Sequence, residues 1–285
     1  MIFDSLSQRD NLKLFSSEYS GGRWLTRGNS IDRQPYFAPD SEHVVFSSSR
    51  GGDAGIWEVS LKTGTLQRLT EHPALDWDPY ISPDNKHLLW SSNRTGNFEI
   101  WMADRDGSSP RQVSHDGVDA ENPVTTPDGN WVVYASGQSQ HPGVWKVRID
   151  GTGSKQIVAG TAAWPVVSPD GKYILYHVVS SALRASMRLV HFEDGSPVDF
   201  HAEGQRGRFS RDGHSIFYIL PGGRQIVRQD YLSGSAPHVQ VLAPVSQDFL
   251  TDTYDVAPDG KSIIAAYAQP SRSLLIADNV PGIKK

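Results

Sequence analysis

The sequence predicts a closed all-β propeller of four-stranded antiparallel blades, and three observations carry that prediction. A Pro-Asp turn or its degraded form recurs six times, the aspartates stepping by 44, 44, 42, 42 and 47 residues. Each turn is followed by short β runs separated by Gly-, Asn- and Asp-rich turns. Gly, Pro or an Asp-Gly pair interrupts every stretch that could form a long amphipathic helix. A period of this length in an all-β chain marks a propeller blade, which cannot bury its two faces alone and must stack on neighbours around an axis.

Each element follows in chain order. The turns are Ala38-Pro39-Asp40, Ser82-Pro83-Asp84, Thr126-Pro127-Asp128, Ser168-Pro169-Asp170, the degraded Ser210-Arg211-Asp212, and Ala257-Pro258-Asp259. The residues ahead of each turn form an inner strand. The second strands are His43–Ser47, His87–Ser91, Trp131–Ala135, Tyr173–His177, Ser215–Ile219 and Ser262–Tyr267. Third strands are marked by Ile56-Trp57, Ile100-Trp101, Val144-Trp145, Leu189-Val190, Ile226-Val227 and Leu274-Leu275. Glycine turns at Gly64, Gly107, Gly151, Gly195 and Gly234 precede short outer strands such as Leu66–Thr70. Trp57, Trp101 and Trp145, spaced 44 apart, are expected to fill the space between blades. The units read 1–26 (partial), 32–70, 71–114, 115–158, 159–200, 201–242 and 243–283, all in one propeller domain spanning 1–285.

The ends fall out of phase with this frame. Met1–Thr26 aligns with Val44–Thr70, so the chain begins at a second strand, and Thr253–Asn279 lacks a clear outer strand. Counting strands favours seven blades with incomplete terminal blades. The alternative is six, closed by an N-terminal strand such as Arg23–Thr26 that completes the last blade. A start in mid-blade also fits the C-terminal part of a longer protein.

Composition narrows the function classes. The net charge of −5 over 285 residues does not suit a domain that grips nucleic acid through bulk positive charge. No apolar run is long enough for a transmembrane helix, and the N-terminus has no signal-peptide pattern. The absence of cysteine removes disulfides, thiolate nucleophiles and Cys-ligated zinc. Gly-x-Ser-x-Gly, His-Glu-x-x-His and P-loop motifs are absent as well.

The phrase ISPDNKHLLWSSNRTGNFEIWMADRDG and its copies resemble the WD-like β-propeller repeat of TolB-type proteins, across essentially the whole chain. This resemblance implies six blades as the usual number and a partner-docking propeller in the bacterial envelope, with a periplasmic or other extracytoplasmic location. Two departures bear on the specific TolB role: there is no export signal, and no room for the N-terminal α/β domain that TolB carries. A C-terminal sensor propeller of a membrane-anchored kinase or transcription regulator accommodates both.

Propeller ligands meet the loops that lead into the inner strands. Four places before the small residue of each turn stand Gln34, Asp78, Asn122, Trp164, Arg206 and Thr253; one place earlier stand Arg33, Trp77, Glu121, Ala163, Gln205 and Asp252. These columns vary while the frame repeats, as a scaffold with a specialised mouth requires. The candidate partner-binding residues are Arg33, Asp76, Trp77, Asp78, Glu121, Asn122, Trp164, Arg206, Arg208 and Asp252. Trp77 and Trp164 break the tryptophan periodicity and offer stacking faces, or else plug the channel. No cofactor is expected, calcium at the acidic mouth being the one candidate. His72, His115 and His201 follow outer strands, but their spacing drifts between copies. The expected function is therefore a non-catalytic binding propeller that docks a protein segment or polar ligand, with no catalytic residues. The alternative is a metal-dependent propeller enzyme of the lyase or lactonase type.

Overall fold

Every Pro-Asp turn is stabilised by its own side chains. In the computed structural model, Asp84 Oδ1 accepts the Lys86 N–H at 3.1 Å, and Ser82 Oγ accepts the His87 N–H at 2.9 Å while donating to Asp84. The same bonds recur at Ser168/Asp170 and Ser210/Asp212. This Asx-type bonding explains why a small hydroxyl and an aspartate recur two residues apart. The structure describes residues 2–16, 19–178, 186–222, 225–231, 240–244 and 250–276.

The strands assemble into six four-stranded antiparallel sheets. From the axis outward, blade I is Asp32–Phe37, His43–Ser48, Gly55–Ser60 and Leu66–Arg68; blade II is Asp76–Ile81, His87–Ser92, Glu99–Asp104 and Arg111–Gln112. Blade III is Ala120–Thr125, Trp131–Ser136, Gly143–Arg148 and Lys155–Ala159; blade IV is Ala162–Val167, Tyr173–Val178, Ser186–His191 and Pro197–Glu203. Blade V is Gln205–Phe209, Ser215–Ile219, Gln225–Asp230 and Gln240–Pro244. Blade VI mixes the chain ends: Leu250–Val256 and Ser262–Ile276 are its inner pair, Ile2–Ser16 and Tyr19–Trp24 its outer pair.

The propeller thus has six blades, not the seven favoured by strand counting. The start of the Met1–Thr26 unit, read as an extra second strand, and the last third strand (Leu274-Leu275) lie opposite one another, Phe3 pairing with Leu275 and Asp4 with Leu274. Both belong to one ladder running from Ile2↔Ile276 to Ser16↔Ser262. Residues 1–20 contain no Gly or Pro, unlike the links between second and third strands of blades I to III, so the chain stays extended where a turn was expected. The six-blade alternative holds, closed by two N-terminal strands rather than one.

One apolar cluster fills each interface between neighbouring blades. Leu12, Leu14 and Ile264 of blade VI meet Phe37, Val44 and Phe46 of blade I. Val45 and Ile56 of blade I then meet Leu88 and Trp90 of blade II. Clusters of the same kind join II to III, III to IV, IV to V and V to VI. Adjacent residues such as Val44 and Val45 point into opposite interfaces, as the two-residue strand period demands. Close approach between blades also needs bare backbone. At Gly107 (φ +86°) an added Cβ would lie 1.9 Å from the Leu69 carbonyl of blade I.

The periodic tryptophans flank these clusters instead of filling them. Trp57, Trp101 and Trp145 are half-buried, and the fully buried ring is Trp90. In blades I and II each half-buried ring is covered by an arginine: Arg50 sits 5.3 Å from the Trp57 centroid, and Arg94 4.5 Å from that of Trp101. Each arginine pairs in turn with a buried inner-strand aspartate, Asp32 or Asp76.

Leu12 is fully buried in the seam that closes the ring, whereas Leu66 is 37% exposed on an outer strand. Leu12→Ala is expected to cost about 3 kcal/mol in urea unfolding, and Leu66→Ala less than about 0.5 kcal/mol. Equal losses at the two sites would show that the N-terminal strand does not close the propeller.

Candidate functional site

The innermost strand of every blade presents its free edge to the central channel, and each carries a bulge. In blade I, Arg33 pairs with Ser47 and Tyr36 with Val45, leaving Gln34-Pro35 opposite a single residue. Equivalent shifts occur in blades II to V, and in blade VI the shift falls one residue earlier, between Thr251 and Tyr254. The bulge residues Gln34, Asp78, Asn122, Trp164 and Arg206 are all left-handed, with φ from 49° to 59°. Four of these precede a proline, and such backbone costs a non-glycine residue of order 1 kcal/mol.

Hydrogen bonds between blades hold this ring in place. The Gln34 N–H donates to Thr253 Oγ1 at 2.9 Å, and the Asp78 N–H donates to Gln34 Oε1 at 3.1 Å. Gln34 Nε2 donates to Asp78, and the Asn122 N–H donates to Ser91 Oγ at 3.2 Å. In blade V the Gly207 N–H donates to His177 Nε2 at 3.2 Å. His177 meets Trp164 edge to face at 5.3 Å, and the Arg206 guanidinium lies 4.1 Å over the Trp164 ring. Burial, then the charges of Arg206 and Arg208, push the His177 pKa down to about 3, so the ring is a neutral acceptor.

From this ring a cavity of about 840 Å³ runs along the axis to the Pro-Asp turns. Pro35, Pro79, Pro123 and Pro165 form a collar beneath the bulges, and Pro39, Pro83, Pro127, Pro169 and Pro258 form the far rim. Between them stand Tyr36 and Tyr80, their rings 4.7 Å apart, with Val124, Val166 and Arg208. Proline has no N–H, so the collar removes donors from four of the six strand edges that face the channel. A bound chain therefore cannot be held by continuous strand addition, and recognition falls to side chains.

Two carboxyl groups in the wall are strained electrostatically. Asp255 accepts the Phe37 N–H at 2.8 Å and lies 3.3 Å from Arg208 Nε; burial pushes its pKa up to about 6 against the pull of Arg208. Burial likewise raises Asp78, opposed by the charge of Arg206 and by bonds from Ser91 and Asn122. Beside Asp78, Glu121 is pushed up to about 7, first by burial and then by the charges of Asp78 and Asp119.

The structure brings Asp78, Asn122, Trp164, Arg206 and Arg208 together on the channel wall. Glu121 adjoins Asp78 without lining the cavity. Arg33 is turned away, pairing with the buried Asp10 of the N-terminal strand and so bracing the seam between blades VI and I. Asp76 is fully buried beneath Arg94, whose Nη2 reaches both its oxygens at 3.2 and 3.3 Å. Trp77 is half-buried off the cavity, and the side chain of Asp252 lies outside the described residues. Sequence reasoning passed over Tyr36, Tyr80 and Asp255. The recurring X-Pro step inside a β run was the available sign that the inner strands bulge there. Among the described residues, no three or more His, Asp or Glu side chains are grouped so as to share a metal ion.

One family model and three solved structures are similar to this chain. The family model described as TolB beta propeller domain matches residues 26–196. A solved structure of a putative TolB from Agrobacterium tumefaciens superposes with TM-score 0.70 at 18% identity, covering 93% of this chain and 99% of that one. TolB from Acinetobacter baumannii gives 0.65 at 17% identity, covering 93% of this chain and 66% of that one. An oligogalacturonate lyase solved with manganese gives 0.55 at 13% identity, over 92% and 96% of the two chains.

Because Glu121 has a folded pKa near 7, above its unfolded value near 4.3, the native state holds a proton that the unfolded chain has lost between those values. Stability is therefore expected to fall as pH rises through that window. Glu121→Gln should raise the melting temperature at pH 8 by roughly 2–4 °C, allowing for solvent screening of a partly exposed group, with no gain near pH 4. An equal gain at both pH values would sink this account.

Proposed function

The chain belongs to the TolB β-propeller family, and from that premise we propose a non-catalytic docking module whose central channel receives a segment of a partner protein. The observation that carries this reading is the channel itself. Its 840 Å³ of proline- and tyrosine-lined space, with a few convergent polar groups, falls within the roughly 300–1,000 Å³ of typical binding clefts. The strained bulge ring supports it too, since backbone strain of this kind gathers where side chains must be aimed at a ligand. The family resemblance implies partner docking and an extracytoplasmic location. The acidic net charge of −5 does not favour nucleic acid as the partner, and among the described residues no helix is long and apolar enough to cross a membrane.

Within the channel, Trp164 offers the largest ring and Arg206 a stacked guanidinium, the residue types in which interface energy concentrates. We assign the docking contacts to Asp78, Asn122, Trp164, Arg206 and Arg208. Glu121 and Trp77 stand nearer the face on which the inner strands begin, where they would meet the flanks of a larger partner.

A second reading, a metal-dependent lyase, draws on the similarity to the manganese-bound lyase. It would need several blades to contribute ligands within ~2–2.6 Å of one ion, whether manganese or calcium. Elemental analysis of the purified protein separates the readings: stoichiometric metal favours the lyase.

A photo-reactive amino acid placed at Asn122 should cross-link a protein partner, while the same group at Leu66 on the outer edge should not. Trp164→Ala should weaken that capture by about 2 kcal/mol, roughly thirtyfold, with little change in melting temperature. Capture at Leu66 alone would overturn the channel-docking reading.

A further inference from the structure

The charges along the channel are sorted by blade. All four arginines that line the cavity, Arg206, Arg208, Arg211 and Arg228, come from blade V. The facing blades I to III contribute Gln34, Tyr36, Tyr80, Asn122 and one charged group, Asp78. Arg228 is engaged at the rim, its Nη2 3.6 Å from Asp212 and its Nε donating to Ser215.

Arg208 sits deeper. One Nη1 hydrogen reaches the Gly207 carbonyl at 3.0 Å, and Nε lies 3.3 Å from Asp255 Oδ1. Its remaining N–H groups have no protein acceptor among the described residues, although the side chain is only 25% exposed. Arg206 stands two residues away with its guanidinium 4.1 Å over the Trp164 ring, and its charge is felt at both Asp78 and His177. A guanidinium in such a wall matches a planar anion through paired N–H donors.

We propose that Arg208, with Arg206 beside it, is a seat for a carboxylate carried at the tip of the segment that enters the channel. The inference rests on the channel-docking reading and names the chemical group that the docked segment presents. A side-chain carboxylate and a chain-terminal one share this chemistry. Asp255 is the resident competitor for Arg208. Its charged and titratable neighbours are Arg208, Tyr36, Tyr80 and Tyr254, while Asp78, Glu121 and Arg206 form the adjoining group and His177 stays neutral. When Asp255 takes up a proton near pH 6, Arg208 loses its internal counter-charge and the seat strengthens.

The test uses two probes, N-acetyl-aspartate N-methylamide for a side-chain carboxylate and N-acetylglycine for a terminal one, with N-acetyl-asparagine N-methylamide as the neutral control. Binding to the intact protein is followed by the Trp164 indole signal in NMR, assigned with Trp164→Phe. At least one carboxylate probe should bind and the neutral control should not. Arg208→Gln should weaken binding about tenfold or more, with a smaller loss in Arg206→Gln. Wild-type affinity should rise from pH 7.5 to 5.5, by no more than about 25-fold for a single group titrating near 6, and Asp255→Asn should hold the tighter value at both pH values even if Arg208→Gln folds poorly. Equal binding of the asparagine control, or unchanged affinity in both arginine variants, overturns the seat. If the Asn122 cross-link persists while the carboxylate probes fail, the docking reading stands and the seat falls. Carboxylate binding without the cross-link leaves the seat standing and removes the docking reading.

Discussion

The antiparallel ladder between Ile2–Ser16 and Ser262–Ile276 is the constraint on which the rest of the molecule depends. Without it blade VI would have two strands, and its interface with blade I would lose Leu12 and Leu14. Propeller interfaces act in series around a ring, so one open interface relaxes the angular position of every blade. Leu12 and Leu14 carry this closure by packing on Phe37, Val44 and Phe46, and Arg33 adds an ion pair to Asp10 across the same seam. The channel is defined only because the ring is shut.

Closure has a second consequence, at the centre. Six strand edges converge on the axis, and an unprotected edge is a template for pairing with any extended chain. Proline at four of the edges removes donors, and the bulges turn the preceding residues into the left-handed region. The channel is thereby converted from a bundle of backbone edges into a wall of side chains. The strain is over-determined by bonds from neighbouring blades, such as Gln34 N–H to Thr253 and Gly207 N–H to His177.

Two populations of carboxylates oppose one another across the acid range. The turn aspartates Asp128 and Asp212 are held below their ordinary values, chiefly by the Thr126 and Ser210 hydroxyls and by backbone N–H groups. Their stabilising contribution is present above the unfolded value near 3.9 and is lost as pH falls through the lower folded values. Asp255 and Glu121 do the reverse, since burial favours their neutral forms. The rigid frame is thus built for neutral pH, while burial in and beside the channel outweighs the arginine charges that oppose it at Asp255 and Asp78.

The sequence by itself determined the repeat, the strand order within blades I to V, the Pro-Asp turns and the column of residues that reaches the axis. These are local matters: turn chemistry and a two-residue period operate within a few positions of the chain. Asp78, Asn122, Trp164, Arg206 and Arg208 were legible for that reason, as members of one repeating column or its neighbour. Only the tertiary structure decided the blade count, because Phe3 and Leu275 become partners through ring closure and no local signal records a contact between chain ends. It also decided that Asp76 and Arg33 serve the frame. Whether a charged side chain faces a cavity or an ion-pair partner depends on what a neighbouring element brings to it, here Arg94 and Asp10. Asp255 stayed hidden on the same ground: its importance lies in burial beside Arg208, one blade away in space and 47 residues away in sequence.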